Sequence, residues 1–263
     1  MIGIAIVTGH RLNYLQITLD SLFRVDGIGD CYKLLFQLPQ TPEERREKAW
    51  VLSQYPLNEI RDTAYRGRDV FFEAYRYLFS LGMERAIVTS DDIIHRPDLL
   101  EYIEGNRNRK AFLHSLSVLW PGSISQLAFE FFNLGFLIDR EAFEEVDRWY
   151  RTGLYLGART KHGNLLKDYE TIHNFDTIME TYIMTHGALS SFPDKPYIAH
   201  IGLTGINSYN DEVCLEYEKK LFTGPPNTWL RNAIALIESE ETYPPEIERM
   251  LIPRTFRYGG KYE

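Results

Sequence analysis

The amino-acid sequence predicts an α/β fold in which a mostly parallel sheet is flanked by helices. Apolar runs of strand length alternate with stretches of helical periodicity from the first residue onward. Glycine, proline and capping residues separate these segments, as expected at the ends of helices and strands. Repeated alternation of strands and helices builds a parallel sheet with helices on both faces.

The first two strand and helix units open the chain. Ile2 to Val7 is a continuous run of β-favouring residues, and Asn13 is predicted to cap the helix that follows. Lys33 to Leu38 is predicted to be the second strand. Thr41 to Glu44 form a capping box with proline at the first helical position, which opens a helix that ends near Tyr55.

The alternation continues through the rest of the chain. Val70 to Leu81 has helical periodicity, and Ala86 to Thr89 is predicted to be a short buried strand. Pro97 is predicted to start the next helix. The remaining predicted segments are, in order, strands at 111–119 and 129–138, a helix at 140–150, a long loop at 151–169, a helix at 175–183, a strand at 197–201 and an amphipathic helix at 230–237.

Length and punctuation predict one main domain and a smaller extension. The chain has 263 residues, and at about 150 residues per domain this length fits one large or two small domains. Proline pairs at 225–226 and 244–245 interrupt the last part of the chain. We therefore predict a main α/β domain at 1–214 and a helical extension at 215–263 that packs on it.

Composition and charge narrow the class of protein. The 44% hydrophobic and 25% charged residues are typical of a soluble globular protein. A net charge of -8 argues against nucleic acid as the main partner. The sequence contains no run of about 18 apolar residues, so it does not predict a membrane-spanning helix. Cys31 and Cys214 form neither a zinc-binding spacing nor a disulfide framework, so we predict a cytoplasmic protein.

Two adjacent carboxylates, Asp91 and Asp92, follow the buried strand at 86–89. Open parallel sheets bind ligands beyond the carboxyl ends of their strands. Neighbouring residues point to opposite sides, so we expect one carboxylate to meet a metal and the other a ribose or sugar hydroxyl. Carboxylate oxygens suit Mg²⁺ or Mn²⁺, which usually bind together with a diphosphate. The alternative is that these carboxylates cap the next turn or helix.

Residues 4–15 predict a strand, a loop and the start of a helix in succession. This segment resembles the opening of glycosyltransferases of the GT-A fold, in which the loop holds the nucleotide. Residues 85–102 resemble the acidic metal motif and following helix of the N-acetylglucosaminyltransferase I-like family. Residues 132–136 and 175–179 are similar to two further segments of that family. The resemblance implies a Rossmann-like, mostly parallel mixed sheet and transfer of a sugar from a nucleotide donor.

The resemblance also implies roles for individual residues. The last aspartate of the family's acidic motif holds Mn²⁺ on the UDP diphosphate, which carries over to Asp92, with Mg²⁺ as the alternative ion. His200 resembles the histidine with which many GT-A enzymes contact the metal or diphosphate. Ser90 replaces a family glutamate that contacts the donor, so the donor sugar stays open. The residues implied to bind the nucleotide or donor are Thr8, His10, Arg11, Arg68, Asp91 and Gly135.

Asp176 is the predicted catalytic base, because the matching segment of the family begins with its catalytic aspartate. Asp168 and Glu170 lie close upstream and are competing bases. The structural alternative for Asp176 is an ordinary acidic residue in a first helical turn. The structural alternative for His200 is a core histidine whose hydrogen bonds are satisfied within the protein.

The sequence therefore predicts a metal-dependent glycosyltransferase that moves a sugar from a UDP-sugar to an acceptor hydroxyl with inversion. Two other functions stay open. One is a non-catalytic module of similar fold that binds a sugar or a partner. The other is a glycosyltransferase that acts on modified bases in DNA.

Overall fold

The structure of the protein is a computed structural model. It describes residues 1–9, 11–38, 41–64, 68–106, 111–117, 126–128, 135–160, 163–166, 175–202, 212–239 and 258–259. The strands in these ranges are β1 (Ile2–Thr8), β2 (Tyr32–Gln37), β3 (Glu59–Asp62), β4 (Arg85–Ser90), β5 (Ile93–His95), β6 (Leu113–Ser115), β7 (Gln126–Ala128), β8 (Phe136–Asp139), β9 (Ser190–Phe192) and β10 (Ile198–His200). The helices are α1 (Leu12–Leu22), α2 (Pro42–Leu52), α3 (Arg68–Ser80), α4 (Leu99–Gly105), α5 (Arg140–Arg151), α6 (Phe175–His186), α7 (Glu212–Leu221) and α8 (Trp229–Glu238).

Eight of the described strands form one mixed sheet in the order β3-β2-β1-β4-β8-β6-β9-β7. The half that contains β3, β2, β1 and β4 is entirely parallel. β8 runs antiparallel to both β4 and β6. The predicted fold class, an α/β protein with a mostly parallel mixed sheet flanked by helices, is confirmed.

Helices cover both faces of the sheet because successive residues of the buried strands point in opposite directions. In β1, Ile4 and Ile6 join a core with α1 and α4. Ala5 and Val7 join the core on the other face, which is formed with α3, α5 and α6. Burial on both faces explains why β1 is apolar throughout instead of alternating.

Some predicted elements differ from the structure. Arg11, not Asn13, precedes α1, and no side chain caps that helix end. The strand predicted at 197–201 pairs antiparallel with β5 and lies outside the main sheet. β3 is not predicted by the sequence, because it is a largely exposed edge strand without an apolar run.

The described part of the C-terminal extension packs on α1. Tyr14 and Ile17 of α1 share a buried core with Cys214 of α7 and with Leu230 and Ile234 of α8. The division into a main domain at 1–214 and an extension at 215–263 stays a prediction, and its boundary falls within α7. Among the described residues, no helix combines the length and the apolar character needed to cross a membrane.

Candidate functional site

The candidate site lies where the chain order of the sheet reverses. β2 lies on one side of β1 and β4 on the other, and both are parallel to β1. Such a switch point leaves a crevice beyond the carboxyl ends of the strands. The register pairs Val7 with Ser90, so Thr8, the last residue of β1, lies beside Asp91, the first residue after β4.

Asp91 accepts hydrogen bonds from the loop between β1 and α1. Its Oδ2 accepts hydrogen bonds from Thr8 Oγ1 at 2.9 Å and from the Gly9 backbone amide at 3.1 Å. Its Oδ1 accepts from Arg11 Nη2 at 2.7 Å. Asp91 is only 2% exposed, so these contacts are formed away from solvent. The carboxylate thereby fixes the loop that the sequence analysis assigned to the nucleotide.

Asp92 contacts a different set of groups. Its Oδ2 lies 2.7 Å from Arg11 Nη2 and 3.1 Å from His200 Nε2. Its Oδ1 accepts a hydrogen bond from the hydroxyl of Ser90. Burial by itself raises the pKa of the Asp92 carboxyl, but His200 and Arg11 together hold this pKa well below its ordinary value. Asp92 is therefore ionised over the physiological pH range.

Gly202 lets the Asp92 carboxylate and the Arg11 guanidinium lie close against the backbone. β10 pairs with β5 so that His200 lies opposite Ile93, and the Ile201 amide donates to the Asp92 carbonyl at 2.9 Å. A Cβ at position 202 would lie 2.1 Å from Asp92 Oδ2 and 2.8 Å from Arg11 Nη1. Real Cβ atoms do not approach other atoms so closely, so the cluster requires glycine here.

The donor set fits a divalent cation. A carboxylate is a suitable ligand for Mn²⁺ or Mg²⁺, and an imidazole nitrogen is a ligand that Mn²⁺ accepts more readily than Mg²⁺ does. The guanidinium of Arg11 on the same oxygen shows that the position accepts positive charge. Within the described ranges, no three His, Cys, Asp or Glu side chains form a metal-binding group. Asp92 and His200 would therefore hold an ion together with diphosphate oxygens and water.

Lys48 contacts the residues of the candidate site, although the sequence did not predict this. Its Nζ donates to the Gly9 carbonyl at 2.7 Å and to Thr8 Oγ1 at 3.3 Å. The residue is 2% exposed. A signal for it was present, because Lys48 shares its helical face with Val51 and Leu52, which are both buried. A lysine among apolar residues on one helical face indicates a buried cation with a specific partner.

Replacing Lys48 by methionine is expected to flatten the pH dependence of stability in alkali. Burial lowers the pKa of Lys48 from 10.5 to about 8. Between these values the unfolded chain binds a proton that the folded chain lacks, so stability rises with pH by at most about 1.4 kcal/mol per unit. Urea unfolding at several pH values measures this slope. The exposed Lys219→Met is the control that keeps it, and an unchanged slope in Lys48→Met would contradict the assignment.

The structure gives less detail for the other residues that were predicted to form the site. Gly135 has φ +147°, and a Cβ there would lie 3.0 Å from both Thr89 and Ile198, beside the strands that carry the site. Asp176 lies half-buried in the first turn of α6. Arg68 is the first residue of α3, and its side chain is not described. His10 lies outside the described residues.

The amino-acid sequence matches no protein-family model and no curated protein. Many solved structures have a similar fold, among them the following two. The mannosyltransferase PcManGT from Pyrobaculum calidifontis, in complex with GDP-Man and Mn²⁺, has a TM-score of 0.52 at 12% identity, with 95% of this chain and 67% of that chain covered. S. aureus TarS 1-349, in complex with UDP-GlcNAc, has a TM-score of 0.53 at 10% identity, with 89% of this chain and 67% of that chain covered.

Both similar structures are GT-A-type glycosyltransferases. At this low identity the similarity establishes the fold, and the chain has an α/β fold of the GT-A type. The resemblance to the GT-A fold is thereby confirmed. Membership in the N-acetylglucosaminyltransferase I-like family stays a prediction.

Proposed function

We propose that the protein is a metal-dependent glycosyltransferase that moves a sugar from a UDP-sugar to an acceptor hydroxyl. The observation that carries this proposal is the cluster at the sheet switch point, where Asp92 and His200 meet beside Gly202. The two GT-A neighbours support it, because one was solved with GDP-Man and Mn²⁺ and the other with UDP-GlcNAc.

Asp92 and His200 would hold the divalent ion, with Mn²⁺ as the first candidate and Mg²⁺ as the second. A bound ion supplies Lewis-acid neutralisation of the charge that develops on a leaving nucleoside diphosphate. Asp92 is suited to this task because a carboxylate is a hard oxygen ligand that carries a negative charge at neutral pH. The short separation of Asp92 and His200, 3.1 Å between Oδ2 and Nε2, directs both groups to one small volume.

The other residues of the cluster shape the donor site. Asp91 is hydrogen-bonded by Thr8, Gly9 and Arg11, so its proposed contribution to nucleoside binding is to hold the β1–α1 loop in place. Lys48 stabilises the same loop by donating a hydrogen bond to the Gly9 carbonyl. A loop fixed before the ligand arrives loses less conformational entropy on binding.

Stabilisation by nucleotide sugars tests the proposed function directly. A ligand that binds only the folded chain raises its unfolding temperature by mass action. We expect UDP or a UDP-sugar to stabilise the protein more in the presence of Mn²⁺ than in its absence. A panel that includes GDP-sugars identifies the nucleotide, and slow Mn²⁺-dependent hydrolysis of the stabilising donor shows turnover. No stabilisation by any nucleotide sugar would refute the proposal.

Asp176 is the proposed catalytic base, and Asp176→Asn is expected to keep Mn²⁺-dependent UDP binding and lose transfer. General-base catalysis contributes about 10² to 10⁴ in rate, so transfer should fall by that factor. The transfer rate is measured with the donor and acceptor that a screen identifies. Asp168→Asn and Glu170→Gln are the matched variants, and full transfer by Asp176→Asn would move the role to one of them.

The two other functions predict different results. A non-catalytic module would bind a sugar or a partner and would hydrolyse no nucleotide sugar, and the serine at position 90 is the feature that favours it. A glycosyltransferase for modified DNA bases would bind duplex with an affinity that falls steeply with salt. The net charge of -8 argues against this second function.

A further inference from the structure

One amino group of Arg11 bridges the two carboxylates of the candidate site. Arg11 Nη2 lies 2.7 Å from Asp91 Oδ1 and 2.7 Å from Asp92 Oδ2. Both carboxylates are nearly inaccessible to solvent, with 3% and 5% of their side chains exposed. A buried pair of negative charges needs a positive partner, and in this arrangement a residue of the chain supplies it.

The guanidinium and a divalent ion would compete for the same oxygen. A divalent ion of this kind binds a carboxylate oxygen at about 2.1 Å. Asp92 Oδ2 already has Arg11 at 2.7 Å and His200 at 3.1 Å, and the backbone of Gly202 borders its remaining space. Two cations on one buried oxygen repel each other strongly, because the surroundings screen charge poorly. An ion can therefore bind Asp92 Oδ2, the oxygen that also lies beside His200, only when Arg11 withdraws from it.

We propose that Arg11 is a cationic latch, which neutralises Asp92 in the free protein and is displaced when a divalent ion arrives with a diphosphate. This inference rests on the proposed function. The contact with Asp91 Oδ1 uses the same nitrogen, Nη2, so the displacement concerns only the contact of Nη2 with Asp92 Oδ2. The Arg11 side chain is 32% exposed, so the released guanidinium remains at the mouth of the site. Guanidinium binds phosphate oxygens well, and the two events therefore favour each other.

The latch predicts that the free protein binds metal weakly until Arg11 is removed. Mn²⁺ alone, without nucleotide, is titrated into the wild type and into Arg11→Gln, and the free ion is followed by electron paramagnetic resonance. We expect Arg11→Gln to bind Mn²⁺ at least about tenfold more tightly, because a competing charge is lost. The exposed Arg24→Gln removes an equal charge elsewhere and should keep the wild-type affinity. The gain should disappear in the double variant with Asp92→Asn.

A second variant keeps the test independent of folding. Arg11→Lys retains a positive charge for the buried carboxylates, but its shorter side chain with one ammonium group holds both less well. It should bind Mn²⁺ more tightly than the wild type by about threefold. Circular dichroism shows whether Arg11→Gln is folded. If it is not folded, the Mn²⁺ affinity of Arg11→Lys tests the latch.

The outcomes separate the latch from the proposed function. Equal or weaker Mn²⁺ affinity in the folded Arg11 variants would overturn the latch and leave the proposed function intact. Mn²⁺ that binds no variant, even with UDP present, would overturn the latch together with the metal assignment. Thermal stabilisation by UDP, measured separately, then shows whether the nucleotide site remains.

Discussion

Asp92→Asn is expected to abolish Mn²⁺-dependent binding of the nucleotide, with a loss of at least about 100-fold in affinity or turnover. The substitution keeps the shape of the side chain and removes its charge. That charge is the shared partner of Arg11 and His200, whose atoms lie 2.7 Å and 3.1 Å from Asp92 Oδ2. An amide is a poor ligand for the ion in this position and leaves the guanidinium without half of its counter-charge.

Binding is measured by the rise in unfolding temperature with UDP and Mn²⁺. Asp98→Asn is the matched control, because it removes a partly buried carboxylate that pairs with Arg96 and Lys195 outside the site. This control should bind as the wild type does. Unchanged Mn²⁺-dependent stabilisation in Asp92→Asn would show that the metal assignment is wrong.

Gly202→Ala is expected to have an effect of similar size on binding by a steric route. The added methyl group would lie 2.1 Å from Asp92 Oδ2 and 2.8 Å from Arg11 Nη1. Asp92 cannot move aside freely, because Ser90 and His200 hold its carboxylate and its carbonyl accepts from the Ile201 amide. Either the carboxylate rotates away from His200 or the backbone shifts. Both outcomes destroy the site, so we expect a loss of at least about 100-fold in Mn²⁺-dependent UDP affinity.

Gly105→Ala is the control for Gly202→Ala. A Cβ at position 105, the last residue of α4, meets nothing within 4 Å. This substitution should leave binding unchanged and stabilise the fold by up to about 1 kcal/mol, because alanine restricts the unfolded chain. Titration calorimetry with UDP and Mn²⁺ compares the two variants. Wild-type affinity in Gly202→Ala would mean that UDP and Mn²⁺ do not bind beside Asp92.

Local patterns in the sequence predicted much of the fold. The capping box at Thr41 is present as expected, with Thr41 Oγ1 accepting from the Glu44 amide and the Glu44 carboxylate accepting from the Thr41 amide. The apolar run of β1 and the helical periodicity of α5 and α6 likewise identified their elements. β3 and α7 were missed, because an exposed edge strand and a helix with charged residues lack a strong apolar pattern.

The sequence alone determined the order of the main strands and helices and the position of Asp91 and Asp92 at the end of a buried strand. These features depend on neighbouring residues, whose hydrophobic spacing and capping chemistry are visible along the chain. Only the tertiary structure decided that Lys48 and Gly202 belong to the site and that Arg11 bridges both carboxylates. The reason is separation along the chain: the Thr8–Asp91 contact spans 83 residues and the Asp92–His200 contact spans 108. Strand pairing sets these contacts, and local sequence patterns do not specify which strands pair.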